Sequence, residues 1–320
     1  MSSYLLSYKY EPQTIDNICG NHIIFNKIEN SLNIKKSSNF IIQGNNGIGK
    51  TIFANLLKNK LQKINSNLVE YLNMADVIGL TILISKIQNF LNKKITNSSI
   101  KQLVILDDID KITTKSQYSI RILMEEFQNK CNFILICNST NNIIDIIQHR
   151  CELVVLKSLE SSDIVPVLDN ICKSEKINYS KEILETLAYI GGGDIRVSIN
   201  CLQQLSAIYK DNCTVEMVYN ICDYPQPELI TNIFNKMKLK DYKLILDNIN
   251  TIYLNGYSFY DIINIIFKVI KTYEIQEIKR FKIIEVIGDS HLLNANGNTS
   301  LLQFHKLFSC IFKIVNSEIE

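Results

Sequence analysis

The sequence has little net charge, few histidines and no closely spaced pair of cysteines. Its 34 Lys and Arg residues nearly balance its 32 Asp and Glu residues, which leaves a formal net charge of +2. This balance excludes the strongly basic surface of a chain that binds nucleic acid all over, so such binding would need a local patch. The nine cysteines form no C-x-x-C motif, and together with four scattered histidines they indicate no metal site. Most cysteines lie inside apolar runs, and we expect them to be small buried side chains in a reducing compartment: Cys137, Cys172, Cys201 and Cys310.

The sequence also lacks the long apolar segments that are typical of secretion or membrane insertion. Residues 1–10 carry polar side chains where a signal peptide has its apolar stretch. One of the longest apolar stretches, Ile262 to Ile270, is interrupted by Asn264 and Lys268 and is too short to span a bilayer. With 46% hydrophobic and 21% charged residues, the composition is that of a globular intracellular protein, and a length of 320 residues predicts two or three domains.

The most informative stretch runs from Phe40 to Thr51 and matches G-x-x-x-x-G-K-[ST], the phosphate-binding loop. An apolar strand precedes the loop and a helix follows it, which is the setting that the motif requires. Glycines let backbone N–H groups surround a phosphate chain, and the helix N-terminus adds its dipole. Lys50 would reach the β- and γ-phosphates, and Thr51 would ligate Mg²⁺. A plain glycine-rich turn is the alternative. The predicted nucleotide-binding positions of the loop are Gly44, Asn45, Asn46, Gly47, Ile48, Gly49, Lys50 and Thr51.

Apolar strands alternate with helical patterns through the first half of the chain. The predicted strands begin near Phe40, Leu68, Leu103, Phe133 and Leu153. Strands that are apolar throughout and are separated by helices predict a parallel sheet covered on both faces, which is an α/β fold.

Beyond Leu156 the strand pattern disappears and only helical patterns follow. Asp194, after three consecutive glycines, is a good N-cap for one of these helices, and Pro225-Gln226-Pro227 is typical of a hinge. We therefore expect three domains. They are an α/β nucleotide-binding core over residues 1–157, a compact helical domain over 158–224 and a second helical domain over 225–320.

Polar side chains follow two of the predicted strands at their carboxyl ends, where open α/β sheets bind ligands. Asp107 and Asp108 end one strand, and Asn138 follows the next. Asp107 would hold Mg²⁺ through water, and Asn138 would position the attacking water or sense the γ-phosphate. Asp108 would polarise that water. For the two aspartates, the alternative is a solvated turn after a strand.

At this point a resemblance becomes specific: the chain resembles the small subunits of replication factor C, the AAA+ clamp loader of archaea and eukaryotes. The likeness extends over nearly the whole chain. In the first half, Lys9-Tyr10-Glu11-Pro12 is similar to the family's Lys-Tyr-Arg-Pro arm. The likeness also rests on two short motifs, Asn73-Met74-Ala75-Asp76 and Asp107-Asp108-Ile109-Asp110. The helix that follows the second motif matches the family at Gln117, Arg121, Met124 and Glu125. Further along it rests on His149-Arg150-Cys151, which is similar to the family's Ser-Arg-Cys triplet, on Gly193-Asp194-Ile195-Arg196, and on Gly256-Tyr257-Ser258 with Asp261-Ile262-Ile263.

The resemblance implies an AAA+ P-loop ATPase core, a helical lid and an all-α C-terminal collar that drives oligomerisation. It implies ATP and Mg²⁺ as cofactors, and as partners other replication factor C-like subunits, a sliding clamp and primer–template double-stranded DNA, with no membrane. Tyr10, Pro12 and Ile18 would border the nucleotide. Arg150 would be an arginine finger that acts on a neighbouring subunit, and Arg196 would be the second sensor of the lid. For these two arginines the alternatives are a surface arginine and a first-turn residue paired with an acid.

Several residues depart from the family's pattern. Glu11 replaces an arginine of the arm, and Asp108 replaces the catalytic glutamate. Ile78, Ile84 and Ile122 stand where the family usually has arginine.

With fewer arginines, DNA contact would rest on Lys86, Lys115 and the helix N-terminus near Thr113. A solvated helix face is the alternative for the two lysines.

The function that we expect is ATP-dependent loading of a sliding clamp onto primer–template DNA as one subunit of a hetero-pentamer, with hydrolysis mainly in the assembled complex. The site of action would be intracellular, in the nucleus or, for a viral chain, at a cytoplasmic replication site. The abundance of Ile, Asn and Lys suggests an AT-rich coding genome, such as that of a large DNA virus.

One alternative function is that of a scaffold subunit that binds nucleotide but hydrolyses it weakly, which Asp108 and the missing arginines favour. Another is a different AAA+ ATPase of DNA replication or repair, although the C-terminal third shows no basic recognition helix.

Overall fold

A computed structural model of the chain describes residues 5–33, 38–75, 79–93, 101–209, 213–239, 242–298 and 300–317. Asp76 and Ile78, which the sequence analysis singled out, lie outside the described residues. Contacts divide the chain into two compact units, residues 1–213 and residues 214–320.

The first unit is built on a five-stranded sheet in which every pairing is parallel, as the sequence predicts. The strands are β1 (Phe40–Gln43), β2 (Val69–Asn73), β3 (Gln102–Asp107), β4 (Cys131–Cys137) and β5 (Glu152–Val155). Their order across the sheet is β2-β3-β4-β1-β5. This order places the carboxyl ends of β3, β4 and β1 side by side, so the loops that follow these three strands meet at one edge.

Helices cover both faces of the sheet because side chains alternate between the two faces along each strand. Val104 and Leu106 pack in one cluster with residues of three helices, while Leu103 and Ile105 are buried on the opposite face. On the edge strand β5 the side chains of Leu153 and Val155 are instead 50% and 57% exposed. The helices of this unit are α1 (Leu6–Lys9), α2 (His22–Asn33), α3 (Lys50–Ile64), α4 (Leu80–Leu91), α5 (Thr114–Glu126), α6 (Asp145–Gln148), α7 (Ser161–Glu175), α8 (Lys181–Gly191) and α9 (Ile195–Ile208).

From residue 5, where the described part of the N-terminal arm begins, the arm has no long helix. This part contains α1 and a 3-10 turn at Ile15–Asn17 before the chain turns at Gly20, which has a φ of +75°. In α2 the buried side chains are Phe25 and Ile28, and Phe25 stacks on Phe53 of α3 with 4.5 Å between ring centroids. The arm and α2 are thereby joined to the helix that follows the phosphate loop.

The second unit is helical throughout its described residues. Its helices are α10 (Val215–Ile221), α11 (Pro227–Lys238), α12 (Tyr242–Leu254), α13 (Phe259–Thr272), α14 (Glu277–Ala295) and α15 (Leu301–Asn316). Helices α11 to α15 share one apolar core, to which α13 contributes Ile262, Ile263 and Ile266. Gly288 lies inside α14, and the helix continues through it because a single glycine lowers helix stability by only about 1 kcal/mol. None of the helices in the described part of the chain is both long and apolar enough to cross a membrane.

Candidate nucleotide-binding site

The phosphate loop connects β1 to α3 and depends on its glycines. Gly47 and Gly49 have φ values of +72° and +97°, a region that residues with a Cβ rarely adopt. A Cβ on Gly47 would also lie 1.8 Å from a carboxylate oxygen of Asp194. Asp194 is the N-cap of α9, as predicted, and it accepts a 2.9 Å hydrogen bond from the backbone N–H of Arg196. The loop therefore contacts the first turn of the helix that carries Arg196.

Lys50 lies at the centre of the site and is only 7% exposed. Its Nζ donates to the backbone oxygens of Gly44 and Asn45, at 2.6 and 2.7 Å, and to Oδ1 of Asn138 at 2.9 Å. Burial lowers the pKa of Lys50, while the charge of Asp107 opposes that shift. The ammonium group thus connects the phosphate loop to the carboxyl end of β4, so Asn138 lies beside the loop in space.

Asp107 is held in one orientation by three donors. Its Oδ2 accepts from the Thr51 hydroxyl at 2.9 Å and from the Tyr71 hydroxyl at 3.0 Å, and its Oδ1 accepts from the backbone N–H of Asp108 at 3.0 Å. Asp107 is only 4% exposed. A threonine hydroxyl beside a buried carboxylate is an oxygen donor set of the kind that Mg²⁺ prefers, so the residues present fit a magnesium-bound nucleotide.

The acidic residues after β3 point in different directions. Asp108 adopts a left-handed conformation, with a φ of +57°, and its carboxylate accepts from Nζ of Lys111 at 2.6 Å. This hydrogen bond raises the pKa of Lys111. Asp110 accepts from the backbone N–H of Asn138 at 3.1 Å, and its other oxygen is buried without a partner among the described residues. The residue predicted to polarise water is therefore adjacent to Asp107 and paired with a lysine.

A cavity of about 500 Å³ opens between the N-terminal arm, the phosphate loop and helices α7 and α9. Its volume is within the usual range for small-molecule sites. Eight residues predicted from the sequence line it: Tyr10, Pro12, Ile18, Gly47, Ile48, Gly49, Thr51 and Arg196. Arg196 is exposed and forms no ion pair with another described residue.

Sequence reasoning missed the helical side of this cavity. The additional lining residues there are Leu159, Val167, Ile195, Ile199 and Asn200. In the sequence, the apolar members of this set have the spacing of ordinary core positions, so no local signal separates them from residues that fill the helical core.

The arm is anchored to the helices on the far side of the cavity. Lys9 Nζ and the Tyr10 hydroxyl both donate to Oε1 of Glu175 in α7, at 2.6 and 2.7 Å, and the backbone N–H of Leu6 donates to Gln203 of α9 at 2.9 Å. Tyr10 is thus fixed at the rim of the cavity.

Arg150 lies between α6 and β5, is exposed, and is not part of the cavity lining. Its guanidinium is 2.6 Å from Oε1 of Glu125, which also accepts from Arg121 at 3.0 Å. The pair joins Arg150 to α5 on the protein surface.

The candidate DNA-contact residues lie on or beside α4 and α5. Lys86 and Lys115 are exposed, and Thr113 caps α5 by accepting from the backbone N–H of Ser116 at 3.4 Å. Ile84 is partly buried against the core of the sheet, whereas Ile122 is 53% exposed. DNA contact by Lys86, Lys115 and Thr113 stays a prediction.

The parallel sheet, the phosphate loop and the acidic strand end define a P-loop ATPase of the AAA+ class, and comparison with known proteins agrees. The model of the AAA family, ATPases associated with various cellular activities, matches residues 40–159. The model of an RCF1/5-like AAA+ ATPase lid domain matches residues 166–207, and that of the replication factor C C-terminal domain matches residues 225–310.

Curated relatives are similar over almost their whole length. Replication factor C subunit 4 of Schizosaccharomyces pombe is 31% identical over 303 residues, which is 93% of this chain and 88% of the relative. A protein of Acanthamoeba polyphaga mimivirus named as a replication factor C small subunit is 29% identical over 97% of both chains. The chain belongs to the replication factor C small-subunit family and is an ATPase.

Solved structures support the fold alone. The Holliday junction branch migration motor RuvB of Thermotoga maritima superposes with a TM-score of 0.53 at 12% identity, over 70% of this chain and 78% of that one. At such low identity the likeness shows the AAA+ architecture and carries no further argument about the activity.

Proposed function

We propose that this chain loads a sliding clamp onto primer–template DNA, in an ATP-dependent reaction, as one small subunit of a hetero-pentamer. The observation that carries the proposal is the match at residues 225–310, because it extends the likeness beyond the ATPase module that many AAA+ proteins have. The matched ranges also support the proposed division into a core over residues 1–157, a lid over 158–224 and a collar over 225–320.

In this proposal ATP occupies the cavity beside the phosphate loop. Lys50 binds the β- and γ-phosphates, which replace the backbone oxygens that it contacts here. Thr51, and Asp107 through water, would hold Mg²⁺, which would neutralise developing charge on the phosphates. The contacts of Asn138 with Lys50 and Asp110 support a role in sensing the γ-phosphate or in orienting water.

The two arginines have separate proposed roles. Arg196 stands at the start of α9, whose cap contacts the phosphate loop, so it is the candidate sensor that couples the lid to the nucleotide. Arg150 is exposed and lies outside the cavity, which supports a role on the nucleotide of a neighbouring subunit.

Clamp, DNA and sister subunits are the proposed partners, and the proposed place of action is a site of DNA replication, either the nucleus or a viral replication site. DNA contact by Lys86, Lys115 and the α5 N-terminus at Thr113 is part of the proposal, since exposed lysines and a helix N-terminus are the groups that bind phosphate.

A second candidate function is a scaffold subunit of the same complex that binds ATP and hydrolyses it weakly. The observation that favours it is the ion pair of Asp108 with Lys111. A carboxylate held by an ammonium group is less available to polarise water, and aspartate is one methylene shorter than the glutamate of the family's motif.

We expect the full chain to assemble with its sister subunits and to support ATP-dependent clamp loading, measured by retention of labelled clamp on a nicked or primed circular DNA. A chain that ends at Cys213, where the first compact unit ends, should still bind ATP but should not join the complex, because the collar would supply the contacts between subunits.

This experiment separates the proposals. Assembly of the chain without residues 214–320 would reject the collar as the oligomerisation domain. A full chain that assembles but supports no loading with its own sisters and clamp would reject the clamp-loading function, while leaving ATP binding in place.

We expect Asp108→Ala to lower turnover of the assembled complex and Asp108→Glu to keep or raise it. A displacement of about 1 Å costs on the order of a hundredfold in rate, and the longer side chain would correct such a displacement. The measurement is steady-state ATPase activity with saturating DNA and clamp.

Lys111→Gln is the matched control, because it removes the ion pair and leaves Asp108 intact. If Asp108 acts only by holding Lys111, this variant should reproduce the loss seen with Asp108→Ala. Loss of turnover in Asp108→Glu but not in Asp108→Ala would show that Asp108 is not the group that polarises water.

A further inference from the structure

Tyr71 contacts the acidic strand end although its own strand carries no recognised ATPase motif at that position. It lies on β2, where it pairs with Ile105 of β3, while Asn73 pairs with Asp107. Tyr71 is therefore the diagonal neighbour of Asp107 on the same face of the sheet. Diagonal neighbours are within reach of an aromatic side chain. Its hydroxyl reaches Oδ2 of Asp107 at 3.0 Å.

That oxygen is the one that Asp107 shares with Thr51, at 2.9 Å. The other oxygen is occupied by the backbone N–H of Asp108. A buried carboxylate costs free energy unless donors surround it, and here one donor comes from each of β2, α3 and the turn after β3. Of these, Tyr71 is the only donor that is neither part of the phosphate loop motif nor adjacent to Asp107 in sequence.

The ring of Tyr71 is held independently of its hydroxyl. Lys58 of α3 places its Nζ 5.3 Å from the ring centroid, a cation–π contact with the helix that begins at Lys50 and Thr51. Removing the hydroxyl leaves this contact available, because phenylalanine also accepts a cation on its face.

We propose that Tyr71 is a positioning residue for the magnesium site: its hydroxyl fixes the Asp107 carboxylate so that Oδ2 faces the Thr51 hydroxyl. The inference rests on the proposed function, since it requires that Thr51 and Asp107 hold the Mg²⁺ of a bound nucleotide. Groups that orient a metal-holding carboxylate act without touching the metal, and their loss typically lowers metal affinity by about 10- to 100-fold.

A purely structural role makes a different prediction. If the hydroxyl only satisfies a buried oxygen, its loss lowers the thermal stability and affects nucleotide binding equally with and without Mg²⁺. If it positions Asp107, the effect appears only when Mg²⁺ is present, because Asp107 contacts the nucleotide through the metal alone in the proposed site.

The test compares Tyr71→Phe with the unmodified full chain, using a fluorescent ATP analogue titrated in Mg²⁺ and in EDTA. We expect the Mg²⁺ concentration needed for half-maximal tightening of nucleotide binding to rise about tenfold in Tyr71→Phe, with unchanged affinity in EDTA. Tyr118→Phe is the matched control, since it also removes a tyrosine hydroxyl, at a residue that is 49% exposed on α5.

The outcomes are distinguishable. An unchanged Mg²⁺ requirement in Tyr71→Phe, or an equal loss of affinity in Mg²⁺ and in EDTA, would overturn the positioning role while leaving the ATP site intact. If the unmodified chain binds nucleotide identically in Mg²⁺ and EDTA, the proposed magnesium site itself fails, and the inference fails with it.

Discussion

Replacement of Lys50 with alanine should abolish ATP hydrolysis at this site and weaken ATP binding by about a hundredfold or more. A hydrogen bond to a charged group contributes roughly 1.5–3 kcal/mol, and the ammonium of Lys50 is expected to make more than one with the phosphates. Burial adds to the effect, because few water molecules can replace the lost charge at a residue that is 7% exposed. The measurement is equilibrium binding of a fluorescent ATP analogue, followed by turnover in the assembled complex.

Lys63→Ala is the control, because Lys63 is an exposed lysine on the same helix. Thermal unfolding of both variants is needed as well, since Lys50 donates to Asn138 and to two backbone oxygens even without nucleotide. Normal ATP affinity in a folded Lys50→Ala protein would contradict the assignment of residues 44–51 as the phosphate loop.

Replacement of Arg150 with alanine should leave ATP binding at Lys50 intact and slow hydrolysis at the neighbouring subunit's site. Arginine fingers are worth roughly 10³–10⁵ in rate in other phosphoryl-transfer systems. The guanidinium is always charged and can bond two phosphate oxygens at once, so Arg150→Lys should restore little of the lost rate. To act in this way Arg150 must leave Glu125, and an ion pair between side chains 41% and 34% exposed opposes that step only weakly.

The assay mixes Arg150→Ala chains with sister subunits in which only the neighbouring site can hydrolyse ATP. Arg121→Ala is the matched control, because Arg121 also donates to Glu125 but is not placed as a finger. An equal loss of turnover in both variants would indicate that Arg121, Glu125 and Arg150 have only a structural role together. Unchanged turnover in a complex that assembles normally would make Arg150 a surface residue and would remove strong support for the clamp-loading proposal.

The architecture of the first unit and the core of the site can be predicted from the sequence alone. Apolar strands alternating with helices predict the parallel sheet, and its five strands begin within two residues of the predicted positions. The phosphate loop, Asp107 and Asn138 could be found because their chemistry depends on a local pattern: a strand, a turn and the residues at its carboxyl end. The cap at Asp194 is equally local, since the cap and the N–H that it accepts are two residues apart.

The distant side chains that complete the site are known only from the folded structure. Strand order cannot be deduced from periodicity, and it is the adjacency of β2 and β3 that brings the Tyr71 hydroxyl to Asp107. The contact of Glu125 with Arg150 likewise joins residues 25 positions apart through the packing of α5 and α6, and nothing in either segment indicates it. These contacts depend on side-chain reach in a packed protein, a three-dimensional quantity that the spacing of residues along the chain does not encode.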